Sequence, residues 1–396
     1  MWETVKLSEI VTFVRGLTYS KKDEVDANGL AVLRATNVSL EHHKIILDEI
    51  RYIKTPVKLN EDKLVKVGDI LMCTASGSKS HLGKCALVKE DLGMAFGGFM
   101  AALRCKSSCL PEYLFYILTS NLFLRRLSSL SDGANINNLK FSQIEDFEFP
   151  LPPLAEQQRI VAKLDAAFAE IDGLINTASR QASNAKDVHL KIIENLFFSE
   201  EKEWNKINLR IACKFSQGVQ ISVEKQSLQV CEGCTTRFLR IVDFTQGNEE
   251  PRFISDSDVK EILNEHDIAI VRYGASAGFV CTGLKGQIAN NLFKVELVTK
   301  EFDSDYLLCF LKSPMFSNFI ASKVTGAAMP ALSFSMFNDF DVSYPNSRDE
   351  QLSLISKFHL VDRQIENLIS LHEKKLLNLK QLKQTILAQE LQSEAA

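Results

Sequence analysis

Two short stretches rich in small and hydroxyl residues hold the side chains best placed to bind a ligand. One is Thr74–Gly83 and the other is Arg272–Gly278. Small residues let backbone amides and hydroxyls come close to a phosphate, while longer side chains add charge and base-edge contacts. We predict that both stretches face a ligand; the alternative is that they are only tight turns. The candidate residues are Ser76, Ser78, Lys79, His81, Arg272, Tyr273 and Ser276.

A second pair of loops is rich in small residues and, in its first copy, in asparagine. The loop 133–139 contains Asn135 and Asn137, and the loop 326–332 stands at the matching place later in the chain. An asparagine amide can make two hydrogen bonds to adenine, so both asparagines are candidates for contact with bases. Asparagine is also common in plain turns, and that interpretation stays open.

Two arginines also occupy matching places, Arg34 in Leu-Arg-Ala-Thr-Asn and Arg240 in Leu-Arg-Ile-Val-Asp. They suit contact with a base or a phosphate. They equally suit structural ion pairs within their domains, with Asp69 and Asp267 as the expected partners.

Motifs of self-sufficient catalysis are missing from the sequence. It has no phosphate-binding Gly-x-x-x-x-Gly-Lys-Ser/Thr, no Gly-x-Gly-x-x-Gly and no Gly-x-Ser-x-Gly elbow. It also lacks the Asn/Asp-Pro-Pro-Tyr/Phe stretch of amino-methylating enzymes. Cys231 and Cys234 form a close pair, but a zinc site needs a second pair at a suitable distance. We therefore expect no catalytic residue, no metal and no cofactor.

The elements that position these loops occur twice. Tyr113 and Tyr306 lie in similar helical stretches 193 residues apart, and Glu156-Gln157 recurs 194 residues later as Glu350-Gln351. Each half runs through short apolar strands into a proline and then a long helical pattern. A repeat of this size indicates two similar domains. Because the loops carry different side chains, the two domains can recognise two different things.

Both long helical patterns alternate apolar spacings of three and four residues. One follows Pro153 and the other follows Pro345. A seam sustained for so long is typical of a coiled coil. We predict that the two helices pair antiparallel and place the domains at opposite ends of a rod. In the alternative, each helix packs back onto its own domain.

The composition is that of an ordinary globular protein with a net charge of −4. Residues 1–153 carry +1 and residues 204–346 carry −2. Phosphate neutralisation supplies most non-specific affinity for nucleic acid, so a chain this neutral is expected to bind it weakly alone. With neither a signal peptide nor a long apolar run, a cytoplasmic location without membrane contact is expected.

The whole pattern resembles the specificity subunits of type I restriction–modification systems. The residues that carry the resemblance are Phe149-Pro-Leu-Pro-Pro-Leu-Ala-Glu-Gln-Gln-Arg-Ile-Val161 and the later Tyr344-Pro-Asn-Ser-Arg-Asp-Glu-Gln-Leu-Ser-Leu-Ile355. Each copy follows a domain that opens with tryptophan and precedes a long helix. The second copy has Asn-Ser-Arg where the first has Pro-Leu-Ala, so the start of its helix is expected to differ.

The resemblance implies an α+β protein with two target recognition domains and an antiparallel coiled coil. The division expected is 1–153 for the first domain, 154–203 for the central helix, 204–346 for the second domain and 347–396 for the C-terminal helix. Each domain would read half of a split double-stranded DNA site. Two modification methyltransferase subunits and restriction subunits would bind the chain. The competing hypothesis is a non-catalytic scaffold whose paired domains hold protein partners.

Overall fold

The structure is a computed structural model, and it divides into two units. It describes residues 2–26, 28–54, 59–78, 81–131, 138–198, 203–247, 250–324 and 331–392. The first unit comprises 1–178 with 374–396, and the second comprises 179–373. Each unit thus contains one mixed α/β region and a segment of each long helix. The four-part division of the chain at 153, 203 and 346 stays a prediction.

In its described residues, the first unit builds its α/β region from ten strands and four α-helices. Its strands are β1 (Glu3–Lys6), β2 (Val11–Arg15), β3 (Glu24–Val25), β4 (Leu30–Leu33), β5 (Arg51–Ile53), β6 (Ile70–Cys73), β7 (Cys85–Leu87), β8 (Ala95–Phe96), β9 (Met100–Cys105) and β10 (Glu148–Leu151). Its helices are α1 (Leu7–Ile10), α2 (Pro111–Thr119), α3 (Asn121–Ser131) and α4 (Phe141–Ile144). They form sheets in the orders β2-β9-β6-β7, β3-β5-β4-β8 and β1-β10.

The second unit repeats this plan. Its strands are β11 (Asn205–Asn208), β12 (Cys213–Gln217), β13 (Thr236–Leu239), β14 (Arg252–Ile254), β15 (Ile262–Leu263), β16 (Ile268–Val271), β17 (Val280–Cys281), β18 (Gly286–Ile288), β19 (Leu292–Leu297) and β20 (Asp341–Tyr344). Its helices are α6 (Leu209–Ala212), α7 (Ile241–Thr245), α8 (Ser304–Leu311) and α9 (Pro314–Val324). The sheet orders are β12-β19-β16-β17, β14-β13-β18-β15 and β11-β20.

Shared strand pairing establishes the internal duplication. The central strands β6 and β16 are buried along their whole length, and each pairs antiparallel with the long strand that follows, β9 or β19. The parallel pairs β4–β8 and β13–β18 also correspond. The sheets that contain these parallel pairs differ at both edges, because β3 adds beside β5 only in the first unit and β15 adds beside β18 only in the second. The predicted α+β class with two similar mixed domains is confirmed.

The two long helices are continuous. They are α5 (Leu154–Phe197, 44 residues) and α10 (Arg348–Gln392, 45 residues), each about 66 Å long at 1.5 Å per residue. Within the first unit, α5 and α10 run antiparallel, since Lys163 pairs with Glu390 at 2.6 Å and Asp172 with Lys383 at 2.8 Å.

The second unit shows the same antiparallel arrangement in the other halves of these helices. There His189 Nε2 lies 3.3 Å from Asp362 Oδ1, and the rings of Phe197 and Phe358 are 6.1 Å apart. The alternative, in which each helix packs only onto its own domain, is therefore wrong. Both helices also supply buried residues to the core of each unit: Ile160, Leu164, Leu387 and Leu391 in the first, and Ile193, Phe197, Leu354 and Phe358 in the second.

The repeated Glu-Gln motif fastens each long helix to its domain. The Gln157 amide donates to the carbonyl oxygens of Pro152 (2.8 Å) and Ser108 (3.0 Å), and its oxygen accepts from the amide of Leu110 (2.8 Å). Gln351 donates in the same way to Pro345 and Glu301, both at 2.9 Å. Both glutamines are buried. The second helix thus keeps this attachment although its preceding residues depart from the first copy.

Across the part of the chain that the structure describes, each helix is too short or too polar to cross a membrane.

Candidate nucleic-acid interface

In each half, the described end of the second loop that the sequence singled out lies beside the first loop. In the first unit, the amide of Leu139 donates to the carbonyl oxygen of Thr74 at 2.6 Å, and Ala75 forms a β-bridge with Asn138. In the second, the amide of Leu332 donates to the carbonyl oxygen of Arg272 at 2.9 Å. Residues about sixty positions apart in sequence therefore meet at the end of the buried central strand in each unit.

A third segment joins this surface, and the sequence reasoning missed it. In the first unit it is the turn Gly97-Gly98-Phe99, whose Phe99 carbonyl oxygen accepts from the amides of Thr74 (2.9 Å) and Ala75 (3.2 Å). In the second unit it is Ala289-Asn290-Asn291, whose Asn291 carbonyl oxygen accepts from the amide of Arg272 at 2.8 Å. Glycine and asparagine between two apolar strands were the available signal.

We call these three-segment arrangements the loop junctions. The first junction is centred on Thr74, Phe99 and Leu139, and the second on Arg272, Asn291 and Leu332. Main-chain groups make the bonds that hold each junction together. Because these bonds do not depend on side chains, the side chains that project from the two junctions can differ while the backbone stays the same.

The candidates of the first junction lie near one another in the described part of the loop. Ser78 is exposed, and its amide donates to Ser76 Oγ at 3.1 Å. His81 is half-buried, with its amide bonded to the carbonyl oxygen of Ser78 at 3.1 Å. Lys79, Asn135 and Asn137 lie outside the described residues, so their assignment as DNA contacts stays a prediction.

Arg272 is held by the protein itself. Its Nε donates to the carbonyl oxygen of Leu332 at 3.2 Å, and its guanidinium carbon lies 4.5 Å from the Tyr273 ring centre and 5.3 Å from that of Phe293. A guanidinium stacked on two aromatic rings and bonded to the neighbouring loop stabilises the second junction. Ser276 follows at the edge of the same surface, half-buried, with its carbonyl oxygen accepting from the amide of Phe279 at 3.0 Å.

Matching glycines end the two loops. Gly83 (φ +75°) and Gly278 (φ +90°) both adopt the left-handed conformation that side chains disfavour. A Cβ at Gly83 would lie 2.2 Å from Leu127 Cδ1, and one at Gly278 would lie 2.6 Å from Ile320 Cγ2. Each loop is thus pressed against the helix behind it, α3 or α9.

The ion pairs expected of Arg34 and Arg240 with Asp69 and Asp267 are wrong. Asp69 is paired instead with Arg104 on β9, Nε to Oδ1 at 2.9 Å, and Asp267 with Lys294 on β19 at 2.9 Å. Arg240 does make a structural ion pair, but with Asp243 at 3.0 Å. Aspartates that precede the central strand meet the cations of the strand paired with it, because β6–β9 and β16–β19 bring them together.

Thiols beside the junctions are not nucleophiles. Cys73 ends the central strand of the first unit, and burial raises the pKa of its thiol. Burial also raises the pKa of Cys281, on β17 of the second unit, to about 12. Both thiols therefore stay protonated at neutral pH, and the thiolate is the reactive form of cysteine.

A shallow cleft of about 640 Å³ adjoins the second junction. Apolar side chains make up much of its wall. The polar groups among them are amides, hydroxyls and two arginines, and they include Gln220, Gln246, Arg240, Arg252, Tyr273, Ser276, Asn290 and Asn291. Among the described residues that line it, none carries a carboxylate. Because Arg240 is already paired with Asp243, Arg252 supplies the positive charge of this wall, and the amides supply groups that can hydrogen-bond to a ligand.

Known proteins share this architecture. The family model described as "Type I restriction modification DNA specificity domain" matches residues 1–181. The type I restriction enzyme EcoKI specificity subunit of Escherichia coli K12 is 29% identical over 348 residues, which cover 80% of this chain and 72% of that protein. The StySPI specificity subunit of Salmonella potsdam is 30% identical over 297 residues, which cover 70% of this chain and 62% of that protein.

Solved structures agree on the fold. A chain from a structure of complex assembly and conformational transition in the type I R-M system superimposes with a TM-score of 0.77 at 18% identity, covering 99% of this chain and 98% of that one. The HsdS subunit of Thermoanaerobacter tengcongensis gives a TM-score of 0.50 at 17% identity, covering 99% and 97%. Residues 1–181 thus match a type I restriction modification DNA specificity domain, and the chain as a whole is similar to the specificity subunits of type I restriction enzymes.

Proposed function

We propose that this chain reads a split DNA sequence, with one half-site recognised by the first unit and the other by the second. It supplies specificity to a complex whose adenine methyltransferase subunits, two in number, dock on it, and restriction subunits join them. The chain performs no chemistry itself and needs no cofactor. DNA contacts lie at the loop junctions. Ser76, Ser78 and His81 serve one half-site, together with Lys79, Asn135 and Asn137 of the same sequence loops. Tyr273 and Ser276 serve the other half-site, where Arg272 holds the loop in position.

The observation that supports this proposal is the repeated loop junction with different side chains. Thr74 and Arg272 occupy the same place on the same backbone, as do Phe99 and Asn291. A protein that recognises two different half-sites needs two similar backbones that carry different side chains. The lengths of α5 and α10 further support a role as a spacer, since each exceeds one turn of duplex DNA, ~34 Å.

The near-neutral charge of the chain determines how strongly it binds DNA without partners. Phosphate contacts supply most of the non-specific affinity, and their number sets the dependence of binding on salt. With +1 on residues 1–153 and −2 on residues 204–346, the chain alone is expected to bind DNA weakly. The docked methyltransferase subunits then supply much of the affinity for the phosphate backbone, while this chain supplies the choice of sequence.

The same near-neutral charge also favours the second candidate function, a scaffold that holds protein partners through its paired domains. The two differ in their effect on the chromosome. A reader directs methylation to one sequence, whereas a scaffold leaves the methylated sequences unchanged when it is removed.

The experiment is to map adenine methylation across the genome of the source cell with and without this gene. Loss of one split motif, two specified blocks around a fixed gap, is the expected result. Replacing residues 1–153 by the matching part of a relative is then expected to change one block only. An unchanged map in the deletion strain, with the complex demonstrably expressed in the parent, would overturn the proposal in favour of the scaffold.

A further inference from the structure

The turn that sequence reasoning missed presents a different chemical group in each unit. Gly97, Gly98 and Phe99 correspond in place to Ala289, Asn290 and Asn291. Each turn is closed by one backbone bond, Met100 amide to Gly97 carbonyl oxygen (2.9 Å) and Leu292 amide to Ala289 carbonyl oxygen (3.0 Å). The backbone is thus the same, while one turn offers an aromatic ring and the other offers amides.

In the first unit the ring is exposed. Phe99 has 71% of its surface accessible, the largest value among the bulky apolar residues of the described chain. Its backbone is fixed, because its carbonyl oxygen accepts from both Thr74 and Ala75 and the amide of Gly97 donates to the carbonyl oxygen of Leu33 at 2.8 Å. A rigidly presented apolar group loses little conformational freedom on binding. Buried nowhere in the unit, this ring is available for contact with a partner surface.

In the second unit an amide is held ready. Asn290 Nδ2 donates to Gln220 Oε1 at 3.4 Å, a weak bond that orients the amide at the edge of the cleft. An amide nitrogen carries two hydrogens, so one hydrogen and the side-chain oxygen of Asn290 are left for another partner. The described residues offer them no further side-chain hydrogen bond. Those two groups are the ones that an asparagine uses to bind the N6 and N7 edge of adenine.

The neighbouring side chain leaves a further acceptor unsatisfied. Asn291 Oδ1 is buried, and the described residues provide no hydrogen-bond partner for it. A buried polar atom of this kind is normally completed by a water molecule or a ligand. On the same cleft wall, Arg252 Nε also has no partner among the described residues. Beside the second turn, the cleft therefore offers polar atoms that have no partner among the described residues, and its described lining carries no carboxylate.

We propose that this turn is the base-reading element of both units, with Phe99 packing on the methyl group of a thymine and Asn290 binding an adenine. The inference rests on the proposed function and identifies the residues that contact bases in each half-site. Both groups address the major groove, where the thymine methyl and the adenine N6 and N7 are displayed. The serines of the first loop then bind phosphates and set the register, since hydroxyls carry little sequence information. Gln220 is a positioning residue that orients the Asn290 amide.

The test replaces single codons in the chromosome of the source cell and maps adenine methylation in each strain. The wild-type motif is the reference. In Asn290→Ala, one adenine position in one block is expected to become degenerate, with discrimination falling roughly 5- to 150-fold. In Asn290→Asp, preference at that position is expected to move toward cytosine, whose N4 amino group donates to a carboxylate. The other block stays unchanged and shows that the complex is assembled.

The matching variants of the first unit are Phe99→Ala and Phe99→Leu. Phe99→Ala is expected to relax a thymine position in the other block, and Phe99→Leu to retain most of the preference because it keeps an apolar group there. Two exposed controls away from the junctions, Gln229→Ala and Val67→Ala, are expected to leave both blocks unaltered.

Several results would overturn the inference. If the wild-type motif is split and both of its blocks are unchanged in all four variants, the turn does not contact bases, and the proposed function still stands. Changes of Phe99 and Asn290 that affect the same block would do so as well. Loss of all methylation in both Phe99→Ala and Phe99→Leu would assign Phe99 to folding. A wild-type strain whose map does not depend on the gene would instead overturn the proposed function.

Discussion

The amide of Leu110 donates a 2.8 Å hydrogen bond to the side-chain oxygen of Gln157, forty-seven residues later in the chain. Gln157 is completely buried and uses its nitrogen for two carbonyl oxygens as well. One side chain at the start of α5 thereby fixes the entry to α2 and the end of β10. The glutamine of the Glu-Gln motif thus has a structural role: it connects the long helix to its domain.

Gln157→Ala is expected to destabilise the first unit. The change leaves a buried amide and two carbonyl oxygens without partners, and each unsatisfied group costs about 1–3 kcal/mol. The neighbouring Gln158 is exposed, so Gln158→Ala serves as a control of the same residue type in the same helix. Urea unfolding measures both. Equal midpoints for the two variants would contradict the role given to Gln157.

Removing the cation paired with the aspartate that precedes the central strand is expected to lower the stability of the first unit more than that of the second. Arg104 binds Asp69, whose side chain is 3% exposed, whereas Lys294 binds Asp267, whose side chain is 29% exposed. Arg104→Ala leaves a buried carboxylate unpaired, at a cost of about 3–5 kcal/mol. Lys294→Ala leaves a partly solvated one, at a cost of about 1 kcal/mol. Hydrogen exchange of peptides from β6 and β16 reports the two units separately, and comparable deprotection in both would refute the comparison.

Arg272→Ala is expected to weaken methylation of the whole motif without relaxing a base. The guanidinium spans Tyr273, Phe293 and the Leu332 carbonyl oxygen, so its loss costs about 1–2 kcal/mol in the second junction. Arg272→Lys does not restore the stacked plane and is expected to behave similarly. Genome-wide methylation reads out both variants. A single degenerate position in one block would show instead that Arg272 touches a base.

Gly278→Ala is expected to impair recognition of one half-site more than Gly274→Ala. Both glycines have positive φ, which costs a side chain about 1–2 kcal/mol. Only Gly278 also has a neighbour in the way, with Ile320 Cγ2 at 2.6 Å from the new Cβ, whereas Gly274 faces open space. The occupancy of methylated sites compares the variants. Restoration by Ile320→Ala, which removes Cγ2 and Cγ1, in the Gly278→Ala background would identify the steric contact as the cause.

The sequence was sufficient for the features that repeat or have a period. The duplication followed from matched tyrosines and the Glu-Gln pair, and α5 begins at Leu154, directly after the prolines. The antiparallel pairing of the helices followed from two long apolar seams. The loops after both central strands were singled out because small residues recur there, and the prediction that they face a ligand stays a prediction.

What the sequence did not reveal depends on strand pairing over long distances. Asp69 meets Arg104 because Ile70 pairs with Leu103 in the antiparallel β6–β9 ladder, a register that no local pattern encodes. The turn at Phe99 escaped notice for a similar reason. It is ordinary in sequence and becomes part of the junction only through the amides of Thr74 and Ala75. The contacts of Arg272 were not evident from the sequence because two of its partners, the Phe293 ring and the Leu332 carbonyl oxygen, lie 21 and 60 residues further along the chain.

The loop junctions are held together by main-chain hydrogen bonds, and this has a consequence for how the protein can change over generations. A backbone amide is present at every residue except proline, so substitutions at Phe99 or Asn290 leave the bonds of the framework in place. New side chains can therefore be tried at these positions one codon at a time, with little risk to folding. A lineage under pressure to alter the sequences it marks could diversify one unit while the other continues to function unaltered.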